Sequence, residues 1–334
     1  MNSNYRVGVI GGGAWGTALG VIANRAGSKV SLGSKNPNVI ASIKEKRVND
    51  VYLPSVFIDP SIEVTDKFED VCRSDILILA MPSYCLRSIC ISISDTLPPN
   101  VTLVIASKGI ERGSLMLMSD VVKAVLPNNP VAILSGPNLA EEAAHGLPTA
   151  TTIACANTEL WDTIMYAIGG RLFRPYMTDD VIGTQIGGIV KNVIAIACGI
   201  ATGREMGENS RAALVTRGFS EMSRFTVANG GKYETLMGLS GLGDLILTCN
   251  SVKSRNMSFG MAIGQGKSKE ELLSNRGRTA LEGVVSSESI YKLSKKQNIS
   301  MPICEAVYRI IYEDESVDSV IDTLLERPFV SEVV

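Results

Sequence analysis

"YRVGVIGGGAWGTALGVIANRAGSKVSLG", residues 5–33, decides the fold. YRVGVI (5–10) reads as a short apolar strand, and GGGAWG (11–16) as a tight turn. TALGVIANRAG (17–27) has helical spacing and ends in glycine, a helix stop signal. KVSLG (29–33) reads as a second strand. Gly11, Gly13 and Gly16 therefore form a GxGxxG pattern between a predicted strand and a predicted helix, the context this pattern needs. The first glycine allows the turn, the second lets backbone approach a pyrophosphate, and the third lets helix and strand pack closely. The helix start then offers uncommitted N–H groups and a positive dipole end to phosphates. A glycine turn that binds nothing is the alternative, and the strand–turn–helix setting favours a dinucleotide.

The end of the second strand bears on cofactor choice. An NAD-selective site places Asp or Glu there for the ribose hydroxyls. This chain has GSKN, Gly33 to Asn36, with no acid. Lys35 either meets a 2′-phosphate or is a solvated lysine. The expectation is that NADP(H) is accepted, with NAD(H) also open.

Working outward, apolar runs recur in DILILAMP (75–82), VTLVIASKG (101–109) and PVAILSGP (130–137). Continuous apolar runs between helical stretches suit buried strands of a parallel sheet. After about residue 180, helical stretches rich in Gly, Ala and Ser replace them. The predicted fold class is α/β: an N-terminal Rossmann-like doubly wound sheet (1–185) followed by an all-α substrate-binding and catalytic domain (186–334).

The totals agree with two domains: 334 residues at ~150 per domain. Formal net charge is −2, which gives no basic signature for nucleic acid or an anionic membrane. Seven scattered cysteines without a CxxC pair read as reduced thiols, neither a disulfide framework nor a zinc site. One histidine, His145, makes a histidine-rich metal site untenable. Without an apolar signal core at the N-terminus, and with no apolar run reaching the ~18–20 residues a membrane helix needs, a cytoplasmic protein without membrane insertion is expected.

Several polar residues stand where chemistry could use them. Lys108 follows a predicted strand, and ligands of open parallel sheets bind beyond strand carboxyl ends. A surface loop lysine is the plain alternative. SGPNLAEEAAHGLPT (135–149) places Gly136 and Asn138 in a similar turn, and His145 reads as a cation suited to a helix C-terminus. In the 238–266 stretch, Asp244 follows a glycine-rich loop, and Ser254, Arg255 and Asn256 precede a helical run. Three polar donors at a helix start suit an anion, and plain N-capping by Ser254 is compatible with that. Glu282 contacts the cofactor or caps its helix. In GGIVKNVIAIACGIATG (187–203), Lys191 lies in an apolar helical run, where burial would disfavour its charged form.

These pieces together resemble one family, the bacterial NAD(P)-dependent glycerol-3-phosphate dehydrogenases. The similar stretches are GGGAWGTALG, YLP (52–54), ASKGIE, SGPNLAEE, GGIVKNVIAIACGI, RAALVTRGFSEMSR (211–224), LSGLGDLILTC, SRNMSFG and MPICEAVY (301–308), in family order over nearly the whole chain. The resemblance implies reversible reduction of dihydroxyacetone phosphate by NAD(P)H to sn-glycerol 3-phosphate, which feeds phospholipid synthesis, in a cytoplasmic homodimer that uses no metal. It implies Lys191, the VKN lysine, as proton donor and acceptor. It implies substrate contacts for Lys108, Gly136, Asn138, Lys191, Asp244, Ser254, Arg255 and Asn256. Cofactor contacts fall on Gly11, Gly13, Ala14, Trp15, Gly16, Lys35, Lys108, Ala140, Arg255, Ala280 and Glu282. Ala14 stands where serine is frequent, Asn138 where serine or threonine is usual, and Ala280 where valine is more common. GREMGENS (203–210) is more charged than the loop the family leads one to expect.

Overall fold

The computed structural model describes residues 5–274, 281–329 and 331. Residue contacts divide the chain into two units, and each is discontinuous in sequence. The first comprises Met1–Gly188 and Gly230–Asp244, the second Ile189–Asn229 and Leu245–Val334.

Among the described residues, ten strands form in the first unit: β1 (Arg6–Ile10), β2 (Lys29–Gly33), β3 (Val48–Asn49), β4 (Leu53–Phe57), β5 (Glu63–Thr65), β6 (Ile76–Leu79), β7 (Thr102–Ile105), β8 (Val131–Ser135), β9 (Thr149–Cys155) and β10 (Phe173–Thr178). Eight of them make one sheet in the order β10-β9-β8-β7-β6-β1-β2-β5, while β3 and β4 pair separately. The predicted apolar runs supply β1, β2, β6, β7 and β8, and all their mutual pairings are parallel. The single antiparallel pair of the large sheet is β8 with β9. Pro175 lies in β10, an edge strand, where a missing N–H costs no ladder bond on the open side.

Alternation along the strands sends side chains to two separate cores. Val7, Val9, Ile76, Ile78 and Val104 join Leu19 and Ile22 of the Ala14–Arg25 helix on one face. Ile10, Leu77, Leu79, Leu103 and Ile105 join Leu86, Met118 and Val122 on the other. Burial on both faces explains why these strands read as unbroken apolar runs.

The second unit is helical. It holds the later part of the Val181–Gly203 helix, then the helices Gly207–Ala228, Arg255–Gly264, Glu282–Gln297, Pro302–Tyr312 and Val317–Leu325. Two of these helices touch backbone to backbone: a Cβ on Gly199 would lie 2.2 Å from Met257 O, and one on Gly260 would lie 2.1 Å from Ile196 O. Val181–Gly203 is long and apolar enough to cross a membrane by length and composition, but 83% of its apolar window is buried inside the fold.

Candidate active site

In the first unit the glycine turn joins β1 to the Ala14–Arg25 helix. Gly11 adopts φ +131° and donates its N–H to Gly33 O at 2.9 Å, so the turn is tied to the end of β2. A Cβ on Gly11 would lie 2.5 Å from Ala80 O, and one on Gly16 would lie 1.9 Å from Gly11 O. Neither position admits a side chain. Gly13 differs: nothing lies within 4 Å of a Cβ built there. It is the N-cap of the Ala14–Arg25 helix, has no side-chain cap, and is followed by no acid in the first turn. The first turn of that helix thus has neither a side-chain cap nor an acid of its own at its positive dipole end.

Ala14 and Trp15 open that helix, and Ala140 opens the Ala140–His145 helix; all three are partly buried against the same core. Lys35 is exposed just beyond β2. Its ammonium donates to Asp66 O at 2.7 Å and lies 4.5 Å from the centre of the Phe68 ring. His145 closes its short helix and reaches Ser55 Oγ at 3.2 Å, a helix-end placement.

Beyond β7, Lys108 Nζ donates to Asp244 Oδ2 at 2.7 Å. The Asp244 side chain is 1% exposed and that of Lys108 21%, so a nearly buried carboxylate anchors a partly accessible ammonium. Gly188, on the helix carrying Lys191, lies against Lys108: a Cβ there would meet Ser135 Oγ at 2.5 Å and Lys108 Cδ at 3.3 Å. Gly136 packs on Thr151, where a Cβ would lie 3.0 Å from its Cα. The Asn138 amide is turned toward the start of β9, donating to Ala150 O at 2.9 Å and accepting from Thr151 Oγ1 at 3.0 Å. It ties its loop to β9 with the groups that were expected to meet substrate.

In the second unit, Lys191 is 8% exposed, and its ammonium donates to Thr248 Oγ1 at 2.7 Å. A hydroxyl accepts from an ammonium and donates to a neutral amine, so this hold tolerates both states of the lysine. Asn256 Nδ2 donates to Asn192 Oδ1 at 2.9 Å, and Asn256 Oδ1 accepts from Gly283 N at 3.2 Å. One amide thereby joins the residue after Lys191 to the first turn of the Glu282–Gln297 helix. Ser254 caps the Arg255–Gly264 helix by accepting from Met257 N, while Arg255 at its first position is exposed. Glu282 opens its own helix and is partly buried. Ala280 lies outside the described residues.

Sequence reasoning does not single out Thr248, Ser135 or the amide link through Asn256. The signal for Thr248 was available: it stands four residues after Asp244, one turn along the Asp244–Asn250 helix. Among the described residues, no group of three or more His, Cys, Asp or Glu side chains could hold a metal ion.

Comparison with known proteins fits both units. A family model described as NAD-dependent glycerol-3-phosphate dehydrogenase N-terminus matches residues 6–161. Its C-terminus counterpart matches residues 180–322. The chain belongs to the NAD-dependent glycerol-3-phosphate dehydrogenase family. It is 44% identical over 332 residues to glycerol-3-phosphate dehydrogenase (NAD(P)+) of Maricaulis maris (strain MCS10), covering 99% of each chain. With the enzyme of the same name from Rhodospirillum rubrum it shares 45% identity over 323 residues, 96% of this chain and 92% of the relative. The crystal structure of glycerol-3-phosphate dehydrogenase from Coxiella burnetii matches at a TM-score of 0.93 with 36% identity, covering 97% of this chain and 99% of that one. The SKG, VKN, GLGD and SRN stretches of this sequence all fall on described residues.

Proposed function

We propose that this chain catalyses the reversible NAD(P)H-dependent reduction of dihydroxyacetone phosphate to sn-glycerol 3-phosphate, with Lys191 as proton donor and acceptor. The observation that carries the role of Lys191 is its burial with the amine held on Thr248 at 2.7 Å. The nicotinamide cofactor, when bound, supplies or accepts the hydride. Gly11, Gly13, Trp15 and Gly16 would hold its pyrophosphate end, and Lys35 would meet a 2′-phosphate.

The protein's own work is to orient the ketone and manage charge. As the carbonyl oxygen gains charge, the Lys191 ammonium stabilises it and hands over a proton. In the reverse direction the neutral amine takes the hydroxyl proton. Thr248 keeps the amine in place in both directions. Lys108, fixed by Asp244, adds a second positive charge for the substrate, and Ser254, Arg255 and Asn256 at a helix start suit its phosphate. Gly136 and Asn138 shape the loop beyond β8. Cytoplasmic location, a homodimer and supply of phospholipid synthesis complete the reading.

The test is NADPH and NADH oxidation with dihydroxyacetone phosphate, run side by side on wild type and Lys191→Ala. The variant is expected to lose about 10²- to 10⁴-fold in kcat, the usual scale for a positioned proton donor, while still binding NADPH. Near-normal turnover overturns the role of Lys191, and failure of both cofactors with the wild type overturns the reaction. Light scattering tests the dimer.

A further inference from the structure

One carboxylate in the first unit ties together two segments that are distant in sequence. Asp180 lies between β10 and the Val181–Gly203 helix and is 6% exposed. Its Oδ1 accepts from Gly183 N at 2.8 Å, which caps the helix. Its Oδ2 accepts from Lys232 N at 2.8 Å, where the returning chain has just re-entered the unit. A Cβ on Gly183 would lie 2.1 Å from Oδ2, so a glycine there lets the carboxylate reach both donors. The neighbouring Asp179 takes the Lys232 ammonium at 2.7 and 2.8 Å, but that ion pair is exposed.

The clasp continues along the helix. One turn after Gly183, Gly187 lies so close to the returning segment that a Cβ would meet Ser240 O at 2.5 Å. At Gly188 the neighbours become Ser135 Oγ and Lys108. The segment running from Lys232 ends on Asp244, the partner of Lys108. The same helix carries Lys191. The register between this helix and the 230–244 segment therefore sets where Asp244 and Lys108 stand relative to the helix start.

We propose that Asp180 is a positioning residue for the reduction, fixing the helix that carries Lys191 against the segment that carries Asp244. It touches no substrate. Its effect comes through geometry, because a misplacement of about 1 Å remote from the chemistry can cost about 100-fold in rate. The inference rests on Lys191 and the Lys108–Asp244 pair acting as proposed above.

Asparagine separates capping from bridging. Asn is as good an N-cap as Asp, but its single acceptor oxygen cannot also serve Lys232 N, and its NH₂ would face that donor. Asp180→Asn and Asp180→Ala are both expected to lower kcat about 10-fold or more, with NADPH affinity by fluorescence within about twofold of wild type. Asp179→Ala, which removes only the exposed ion pair, is expected to keep kcat. If Asp180→Asn retains full kcat, or if its only change is a lower Tm, the bridge is structural and the proposal fails. Should Asp180→Ala not fold, Asp180→Asn decides alone. Lys191→Ala runs in parallel: normal turnover there overturns the lysine's role, whereas its loss alongside an unchanged Asp180→Asn overturns only the positioning role.

Discussion

Asp244 in the first unit and Glu221 in the second are both carboxylates only 1% exposed, yet they are held by different means. Asp244 receives the ammonium of Lys108 at 2.7 Å. Glu221 receives two backbone N–H groups, Ile303 at 2.6 Å and Cys304 at 3.1 Å, where the Pro302–Tyr312 helix begins. A lysine brings a whole opposite charge; peptide N–H groups bring partial ones. For Glu221 burial outweighs those N–H groups and the nearby Arg224, and pushes its carboxyl up to about 7. The lesson is that burial alone does not mark a functional acid. Asp244 orients a cation that remains partly accessible, whereas Glu221 pins one helix to another deep in the fold.

The sharpest way to break this contrast is to neutralise Asp244. Asp244→Asn keeps the size of the side chain but removes the charge that fixes Lys108. The expected loss in kcat/KM for dihydroxyacetone phosphate is about 100-fold, or roughly 2.7 kcal/mol of transition-state stabilisation. Steady-state NADPH oxidation measures it. Activity within about threefold of wild type would place Asp244 in the same structural category as Glu221.

A smaller effect is expected at Thr248, whose hydroxyl holds Lys191. Thr248→Val keeps the shape and removes the hydroxyl; it should lower kcat about tenfold, the scale of a lost hydrogen bond to a charged group. Thr248→Ser keeps the hydroxyl and should stay within about threefold. Equal activities for the two variants would mean that the pocket's shape, and not the hydroxyl, positions the amine.

Much of this was legible in the sequence because its requirements are local. The glycine turn shows itself in six residues, and doubly buried strands show as apolar runs. Lys108, Lys191 and Asp244 were visible as polar residues in telling surroundings. Their pairings were not. Lys108 and Asp244 stand 136 residues apart, and Lys191 and Thr248 stand 57 apart, so no spacing rule connects them. β9 and β10 also escaped: TATTIAC mixes threonine with apolar residues, and FRPYMT carries a proline on an edge. Nor does any change of composition announce that residues 230–244 belong with the first unit. That membership is held by contacts such as the Asp180 clasp, which exist only once the chain has folded back.

The smallest effect on catalysis, and the one that best isolates Glu221, is in the pH dependence of stability. The Glu221 carboxyl is raised from an ordinary 4.5 to about 7 in the folded chain, so between those values the folded state holds a proton the unfolded state has released. Stability from this group is fully present below about pH 4.5 and is lost as pH rises through about 7. Gln, like the protonated acid, has no charge to bury; its NH₂ leaves one of the two N–H donors unserved, a loss that is the same at every pH. Glu221→Gln should therefore leave kcat near wild type while removing this part of the pH dependence. Urea unfolding from pH 5 to 8 should show the variant gaining on wild type as pH rises, by on the order of 3 kcal/mol across the full window. Parallel stability curves would mean that Glu221 stays charged in the fold. The two N–H groups would then suffice as counter-charge, and the contrast with Asp244 would collapse to one of location.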